Sequence, residues 1–307
     1  MCSIYSALEA KESRPGWYAT YFEQYTDFDT LRLDGEKVEN EAGESLRSTV
    51  RHVILGYQIN RAFGVQVNVP YLDRDFDRLE GGMLESGSES GLGDVAVVAH
   101  WRPVEKIAGT RTWSWGFLGG IKLATGDSDL LAAELAEHEG EEHGEGDEHD
   151  EEGDEHGAEG GVHPHDLVLG SGSTDVLLGT NFHYGQGRFF TDASLQYAIR
   201  SEGDFEYRFA DDTNVELGVG GFLWLEHGRS FALKAALSRE KKGKDEVRGE
   251  PVEDTSRSTT YLGPAIAYSH LDRFFGELFF DFPIDQDNSS LQITPDLRVR
   301  IALTARF

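Results

Sequence analysis

The sequence lacks any long hydrophobic run. Its 307 residues contain no stretch of 18 consecutive apolar residues, so a membrane-spanning helix is excluded. Only 38% of the residues are hydrophobic. A membrane-spanning β-strand remains compatible with this composition, because it needs only about 9–11 residues and every second one can be polar.

Cysteine and basic residues are also scarce. The single cysteine, Cys2, cannot form an internal disulfide. Lys and Arg number 28 against 56 Asp and Glu, and the net charge of −28 argues against a nucleic-acid binder, which needs a basic face. Residues 1–11 carry no secretory signal pattern. For an exported protein, we expect the signal to have been cleaved or to lie upstream of Met1.

What the sequence does contain is a strong period of two. Near the C-terminus, Leu297, Val299 and Ile301 alternate with Asp296, Arg298 and Arg300. The alternation runs from Ile293 to Phe307, which is longer than the strands of about 5–6 residues typical of soluble proteins. It predicts strands with one apolar and one polar face, and Ile293 falls on the apolar face.

The same pattern recurs along the chain and predicts twelve strands. They span residues 16–31, 46–59, 63–76, 91–103, 111–124, 173–184, 189–200, 213–225, 230–240, 258–269, 274–284 and 291–307. Short connections alternate with long ones, including 77–90 and 125–172. This alternation predicts an all-β, transmembrane, up-and-down antiparallel β-barrel at 16–307, preceded by an N-terminal periplasmic segment at 1–15.

Aromatic residues lie beside each short connection, for example Tyr57 and Phe63 beside the first and Trp101 and Trp113 beside the second. Such rings favour the boundary between membrane and water. The chain also ends in an aromatic residue, Phe307, on an amphipathic strand. This ending resembles the sorting signal of bacterial outer-membrane proteins and implies the barrel-assembly machinery as a partner.

Three motifs carry a family resemblance. They are Gly91-Leu92-Gly93-Asp94-Val95, the segment from Gly120 to Asp127, and the segment from Gly170 to Asp175. In this order they resemble the outer-membrane "meta-pathway of phenol degradation" family of transporter barrels, with Ala124 where that family usually has Pro. The likeness runs from about residue 45 to the C-terminus. It implies a barrel fold and an outer-membrane location, and the family name does not identify a substrate.

Charged residues on the polar face of the predicted strands form the first candidate site. They include Lys122, Asp192, Lys234, Asp281, Arg298 and Arg300. In a barrel this face lines the lumen, where charges either set ion selectivity or fill the pore with ion pairs. The sequence is compatible with both interpretations. Carboxylates such as Asp281 and Asp192 are expected to neutralise the nearby cations.

The long, acidic, histidine-rich loop at 126–172, which we expect to be extracellular, forms the second candidate site. Residues 134–159 hold fourteen Asp and Glu and neither Lys nor Arg. The histidines of the loop are His138, His143, His149, His156, His163 and His165. Imidazole suits Zn, Cu and Ni, but the irregular spacing favours weak, exchangeable binding over one preorganised site. The alternative interpretation is a solvated loop with no ligand.

These features together predict an outer-membrane pore or transporter for small molecules or ions, embedded in outer-membrane lipid and with both termini periplasmic. No cofactor is required, although Zn, Cu or Ni would bind weakly to the loop. The alternative is a closed barrel that acts as a surface metal-binding or adhesion protein. An enzyme is not expected, because the sequence has neither a His-x-Ser pair nor a G-x-S-x-G motif.

Overall fold

The computed structural model describes residues 15–133, 135, 160–226, 228–271 and 273–307. Most of the predicted periplasmic segment at 1–15 therefore lies outside the described residues. The wall consists of twelve long strands, as predicted. We label them β1 (Gly16–Leu33), β2 (Ser45–Gln58), β3 (Phe63–Glu80), β4 (Met83–Leu92 and Ala96–Ala108), β5 (Arg111–Lys122), β6 (Asp175–Gln186), β7 (Phe189–Ile199), β8 (Asp212–Glu226), β9 (Arg229–Lys242), β10 (Arg257–His270), β11 (Phe274–Asn288) and β12 (Leu291–Arg306).

Each strand pairs antiparallel with its sequence neighbour, and β12 pairs with β1 to close the barrel. In this last pair Tyr18 lies opposite Arg306 and Leu33 lies opposite Leu291. This closure pairs the outer edges of the first and last strands, as a strand-built membrane protein requires. No helix in the described part of the chain is both long and apolar enough to cross a membrane.

The predicted division into faces is confirmed on most strands. On β4, Val97 and Trp101 are 45% and 50% exposed, whereas Val98 and His100 are 1% and 3% exposed. The outer wall thus carries apolar side chains, and the inner face carries polar and small ones. Strand β2 alternates poorly in sequence because Ile54, which points inward, is as apolar as its outward neighbours Val53 and Leu55.

Two predicted loops are β-structure instead. Residues 77–90 complete a β3–β4 hairpin that turns at Gly81 and Gly82, both with positive φ (57° and 78°). Residues 104–110 likewise extend β4 and β5, which pair until Ala108 and Arg111. The 77–90 segment escaped detection because its side chains are mostly exposed on both faces, which removes the apolar alternation.

The long connections also contain small elements. Glu36–Lys37 folds back on β1, and Tyr207–Arg208, Glu246–Val247 and Glu250–Pro251 form a separate three-stranded sheet. Residues 131–133 are helical, and the connections also contain the short helix α1 (Pro164–Leu167) and two 3-10 turns, Asp204–Glu206 and Glu253–Thr255. The β2–β3, β4–β5, β6–β7, β8–β9 and β10–β11 connections are short and lie at one end of the barrel. The other end, which we call the mouth, carries the long connections and the tight turns at 81–82 and 289–290.

Ile293 corrects the predicted outer face of β12. It is 2% exposed and packs with Leu31, Val162 and Leu167 inside the mouth. The pairing of β1 with β12 shifts between Asp27 and Thr30, which places an extra residue in each strand. A one-residue shift exchanges the two faces of a strand, so Ile293 turns inward above this point.

Candidate functional site: the charged lumen and the segment that closes its mouth

The inward face of β11 and β12 holds a buried cluster of charges. Asp281 accepts hydrogen bonds from Nε of Arg298 (2.9 Å) and Nε of Arg300 (2.7 Å). Arg298 also contacts Glu240, and Arg300 donates to Glu216 at 2.7 Å. Since Arg298 and Asp281 are each 1% exposed, these charges neutralise one another with little help from water.

Aromatic rings support the cations of this cluster. The guanidinium carbon of Arg298 lies 3.8 Å from the ring centre of Tyr261. The ammonium of Lys234 lies 4.6 Å from the ring centre of Phe279 and 3.6 Å from the carboxylate of Glu277. A ring face attracts a cation, so these contacts offset part of the cost of burying the charge.

A second cluster surrounds Lys122 at the mouth. Its ammonium lies 2.6 Å from Asp94 and 2.8 Å from Asp175. Asp175 is also 2.8 Å from Arg200, which in turn contacts Asp212. The side chains come from β5, β6, β8 and the connections beside them, so the cluster ties separate parts of the wall together.

Asp192 has a different partner from the expected one. Its carboxylate lies 2.5 Å from Nδ1 of His183 on the adjacent strand, and the two residues are directly opposite in the β6–β7 ladder. The structure therefore brings Lys234, Asp281, Arg298 and Arg300 together but places Asp192 and Lys122 in separate clusters. His183 was missed because an isolated histidine gives no sequence signal for its cross-strand neighbour.

Residues 160–172, which we call the cap, fold back into the mouth instead of extending outward. Gly161 donates its backbone N–H to Glu44 (3.0 Å), whose carboxylate also accepts from the backbone of Leu79 (3.0 Å). Val162 and Leu167 are buried in an apolar cluster with wall residues. The described C-terminal part of the predicted outer loop, residues 160–172, thus packs inside the mouth.

Charged contacts hold the cap from the opposite sides of the mouth. Arg257 lies 3.2 Å from Asp166, and Arg74 donates to the carbonyl of Val168 at 2.5 Å. Burial opposes the ionisation of Asp166, but His165 and Arg257 outweigh it and hold the pKa of this carboxyl far below its ordinary value. Asp166 is therefore ionised at neutral pH and pairs with Arg257 as a charge.

Two of the six candidate metal ligands belong to the cap. His163 and His165 stack in parallel, with ring centres 5.3 Å apart and planes inclined by 5°. Parallel stacked imidazoles direct their nitrogen lone pairs in separate planes, which does not suit joint ligation of one ion. The other four, His138, His143, His149 and His156, lie outside the described residues. Within the described ranges, no group of three or more His, Cys, Asp or Glu is arranged to hold a metal.

The cap borders two cavities. One, of about 130 Å³, lies among Lys122, Arg200, Lys242 and the cap residues His165 to Ser171. The other, of about 60 Å³, lies below Asp166 among inward residues that include Gln24, Tyr261 and Pro295. Both have polar and apolar walls. The geometry is that of a narrow, charge-lined interior covered by a loop.

Comparison with solved structures supports the barrel fold. An outer-membrane channel from Pseudomonas putida F1 has a TM-score of 0.64 at 14% identity, covering 99% of this chain and 100% of that one. The β-domain of a Bordetella autotransporter (TM-score 0.47, 10% identity, 95% and 99% covered) and the P. putida toluene transporter (0.39, 8%, 95% and 90%) are more distant. Those two TM-scores are too low to bear on function.

Neither a family model nor a curated protein sequence matches the chain. The similarity at 14% identity thus shows the fold, which is that of an outer-membrane β-barrel. The resemblance in the three sequence motifs stays a resemblance.

Proposed function

We propose that this barrel is an outer-membrane channel for small solutes whose mouth is closed by the cap. The observation that supports this proposal is the placement of residues 160–172 inside the mouth, where they belong to no wall strand. Loop segments open at lower free energy than the paired strands of a sheet, so the cap is the element that moves. The channel in the P. putida neighbour of the same fold agrees with this role.

The buried charges are proposed to determine the electrostatic field that a solute meets in the lumen. Cations and carboxylates are paired on the inner face, so a small polar solute would meet both signs of charge, while a narrow lumen would exclude a large solute. The residues concerned are Lys122, Asp192, Lys234, Asp281, Arg298 and Arg300. Because their ion pairs are already formed, we expect a narrow pore with modest ion preference.

The orientation belongs to the same proposal. Barrels of this class have short periplasmic turns and longer outer loops. The start of β1 and the end of β12 lie at the short-turn end, so both termini would then be periplasmic and the mouth would face outward. The exposed apolar outer wall would contact lipid.

Conductance in planar bilayers tests the role of the cap. One variant replaces residues 136–168 by a short Gly-Ser linker and so removes the outer loop and most of the cap. A matched control deletes only 138–156 and leaves the cap in place. We expect several-fold larger unit conductance from the first variant and unchanged conductance from the control. Equal currents from the two variants would contradict a gating cap, and absence of current from all forms would favour the closed-barrel alternative.

Weak metal capture by the loop is proposed as an addition to this function. The carboxylates of residues 134–159 attract cations within a Debye length of about 8 Å, and neutral imidazoles supply softer ligands. Titration with Zn²⁺ or Cu²⁺ at pH 7.5 and 5.5 tests this idea with the 138–156 deletion as comparison. Deleting as far as 165 is unsuitable, because it removes the buried Val162. Binding that persists without the loop would exclude the histidines as ligands.

A further inference from the structure

The cap forms one wall of the larger of the two cavities in the mouth. This cavity, of about 130 Å³, lies between the cap and the mouth ends of β5, β8, β9 and β10. A single water molecule needs about 10–15 Å³ of such space, so the cavity can hold a solute of about ten non-hydrogen atoms. It is therefore large enough for a small organic molecule.

Positive side chains predominate on the walls of this cavity. Among the described residues, five cationic side chains and three carboxylates line it. The cations are Arg74, Lys122, Arg200, Lys242 and Arg257. Two further carboxylates, Asp175 and Asp245, are both 0% exposed and pair with Lys122 and Lys242 from within the protein. The cations thus face the cavity while part of the charge that neutralises them lies behind.

Lys242 combines a cationic and an apolar surface at the cavity. Among the described residues, its ammonium donates to Asp245 at 2.7 Å and lies 5.1 Å from the ring centre of Phe209. An ammonium has three N–H donors, so donors remain for a ligand. Phe209 and Leu72 also line the cavity. An apolar group can therefore pack beside the point where an anion would bind.

Arg257 holds the cap through a weak version of the contact that a free anion could make. One oxygen of Asp166 accepts from one Nη of Arg257 at 3.2 Å. A strong bond between a guanidinium and a carboxylate measures about 2.7–2.9 Å and often involves both oxygens. A solute carboxylate that used both oxygens could replace Asp166 without leaving Arg257 as an unpaired buried charge, and the displaced Asp166 would gain water as the cap moved outward.

The same ion pair separates the two cavities of the mouth. Asp166, Arg257 and Arg74 line both the larger cavity and the cavity of about 60 Å³ below it. Displacement of Asp166 would therefore join the two cavities and open a path from the mouth toward the lumen.

We propose that the larger cavity recognises a small organic anion, a carboxylate with an apolar body, which releases the cap by taking the place of Asp166 at Arg257. The proposal rests on the proposed channel function and names a solute class for it. The carboxylate binds Lys242 and Arg257, and the apolar body packs against Phe209 and Leu72. A neutral apolar solute would cover these cations without pairing with them, which is unfavourable, and a cationic solute would be repelled.

Calorimetric titration of the full-length protein in detergent tests the site, with benzoate as the probe at pH 7.5. Benzamide has the same ring without the charge, and acetate has the charge without the ring. We expect benzoate to bind at least several-fold more tightly than either control. Equal affinity for benzoate and benzamide would overturn the recognition of an anion, and equal affinity for benzoate and acetate would overturn the contact with an apolar body.

Lys242→Met removes one of the two cations that bind the carboxylate. We expect benzoate affinity to fall about tenfold, which is the value of one hydrogen bond to a charged group. Asp245 keeps its hydrogen bonds from Tyr207 and Ala210, both 2.7 Å, in this variant. Lys241→Met is the matched control, because Lys241 is the preceding residue of β9 and is exposed. This control should bind benzoate as wild type does.

Asp166→Asn changes the affinity in the opposite direction. It removes the charge that competes for Arg257, so we expect benzoate to bind several-fold more tightly. A gain in affinity cannot result from misfolding, which makes this variant independent of the previous one. Benzoate affinity that is unchanged in both Lys242→Met and Asp166→Asn would refute the site.

Conductance in planar bilayers separates failure of the site from failure of the channel. We expect benzoate, added to both sides, to raise the conductance of the wild type, and benzamide to leave it unchanged. A protein that conducts ions but neither binds benzoate nor responds to it would overturn the anion site and leave the channel intact. A protein that binds benzoate but conducts no ions in any form would refute the channel, and with it the release of the cap by an anion.

Discussion

Replacing Asp281 by Asn tests whether the lumen cluster is dry. The amide keeps the shape of the side chain but removes the charge that two arginines share, Arg298 at 2.9 Å and Arg300 at 2.7 Å. Removing one partner of a buried ion pair costs about 3–5 kcal/mol, because the other charge remains buried. Glu240 and Glu216 still neutralise the two arginines, so we expect a value near the lower end.

The measurement is denaturant-induced unfolding in lipid vesicles, followed by tryptophan fluorescence, with Asp285→Asn as the control. Asp285 lies 3.9 Å from Arg239, and the two side chains are 64% and 55% exposed. An exposed pair of this kind contributes only about 0–1 kcal/mol. If the two Asn variants unfold at the same denaturant concentration, then water reaches Asp281, and the lumen cluster does not block the pore.

Three further predictions concern the cap. Gly170→Val should displace the cap and raise conductance, because a Cβ at this position would lie 2.4 Å from the backbone of Gly126. Gly119→Val should leave conductance unchanged, because no atom lies within 4 Å of a Cβ there. His163→Ala and Asp254→Asn should each loosen the cap, since their side chains are 3.0 Å apart, and the double variant should conduct no more than either single one. The lowered pKa of Asp166 means that its stabilising charge is present above the ordinary value of 3.8 and is lost only as the pH falls through the lowered value. Conductance that rises between pH 7 and 5 in wild type but not in Asp166→Asn would therefore contradict the ion pair.

The twelve strands and their faces could be predicted because alternation depends on each strand alone. Arg298 and Arg300 alternate with apolar residues, and the structure places both on the inner face as expected. The prediction of which face a residue occupies fails where the pairing with a neighbouring strand determines that face. Ile293 has the right spacing for the outer wall, but the irregular pairing with β1 turns it inward. The sequence of one strand does not show where its pairing with the next strand shifts.

The cap could not be predicted because its contacts are distant in sequence. Glu44 and Gly161 are separated by 117 positions, and neither stands in an alternating segment. The acidic composition before residue 160 is typical of a solvated loop. The buried positions of Val162 and Leu167, which follow it, do not stand out against this composition. From sequence alone, a short apolar stretch beside a charged one can be either exposed or buried. Only the three-dimensional contacts distinguish the two.

The lumen cluster and the cap both obstruct the barrel, and they differ in the free energy needed to move them. The lumen cluster joins side chains from β8, β9, β11 and β12, so separating its charges means exposing several buried ions at once. The cap is held by hydrogen bonds, ion pairs and apolar contacts, and its polar groups can bind water when it leaves. A small free-energy bias suffices to shift an equilibrium only where the two states lie close in energy. Within the proposed channel, we therefore assign gating to the cap and solute selection to the lumen cluster, which would stay in place when the cap moves.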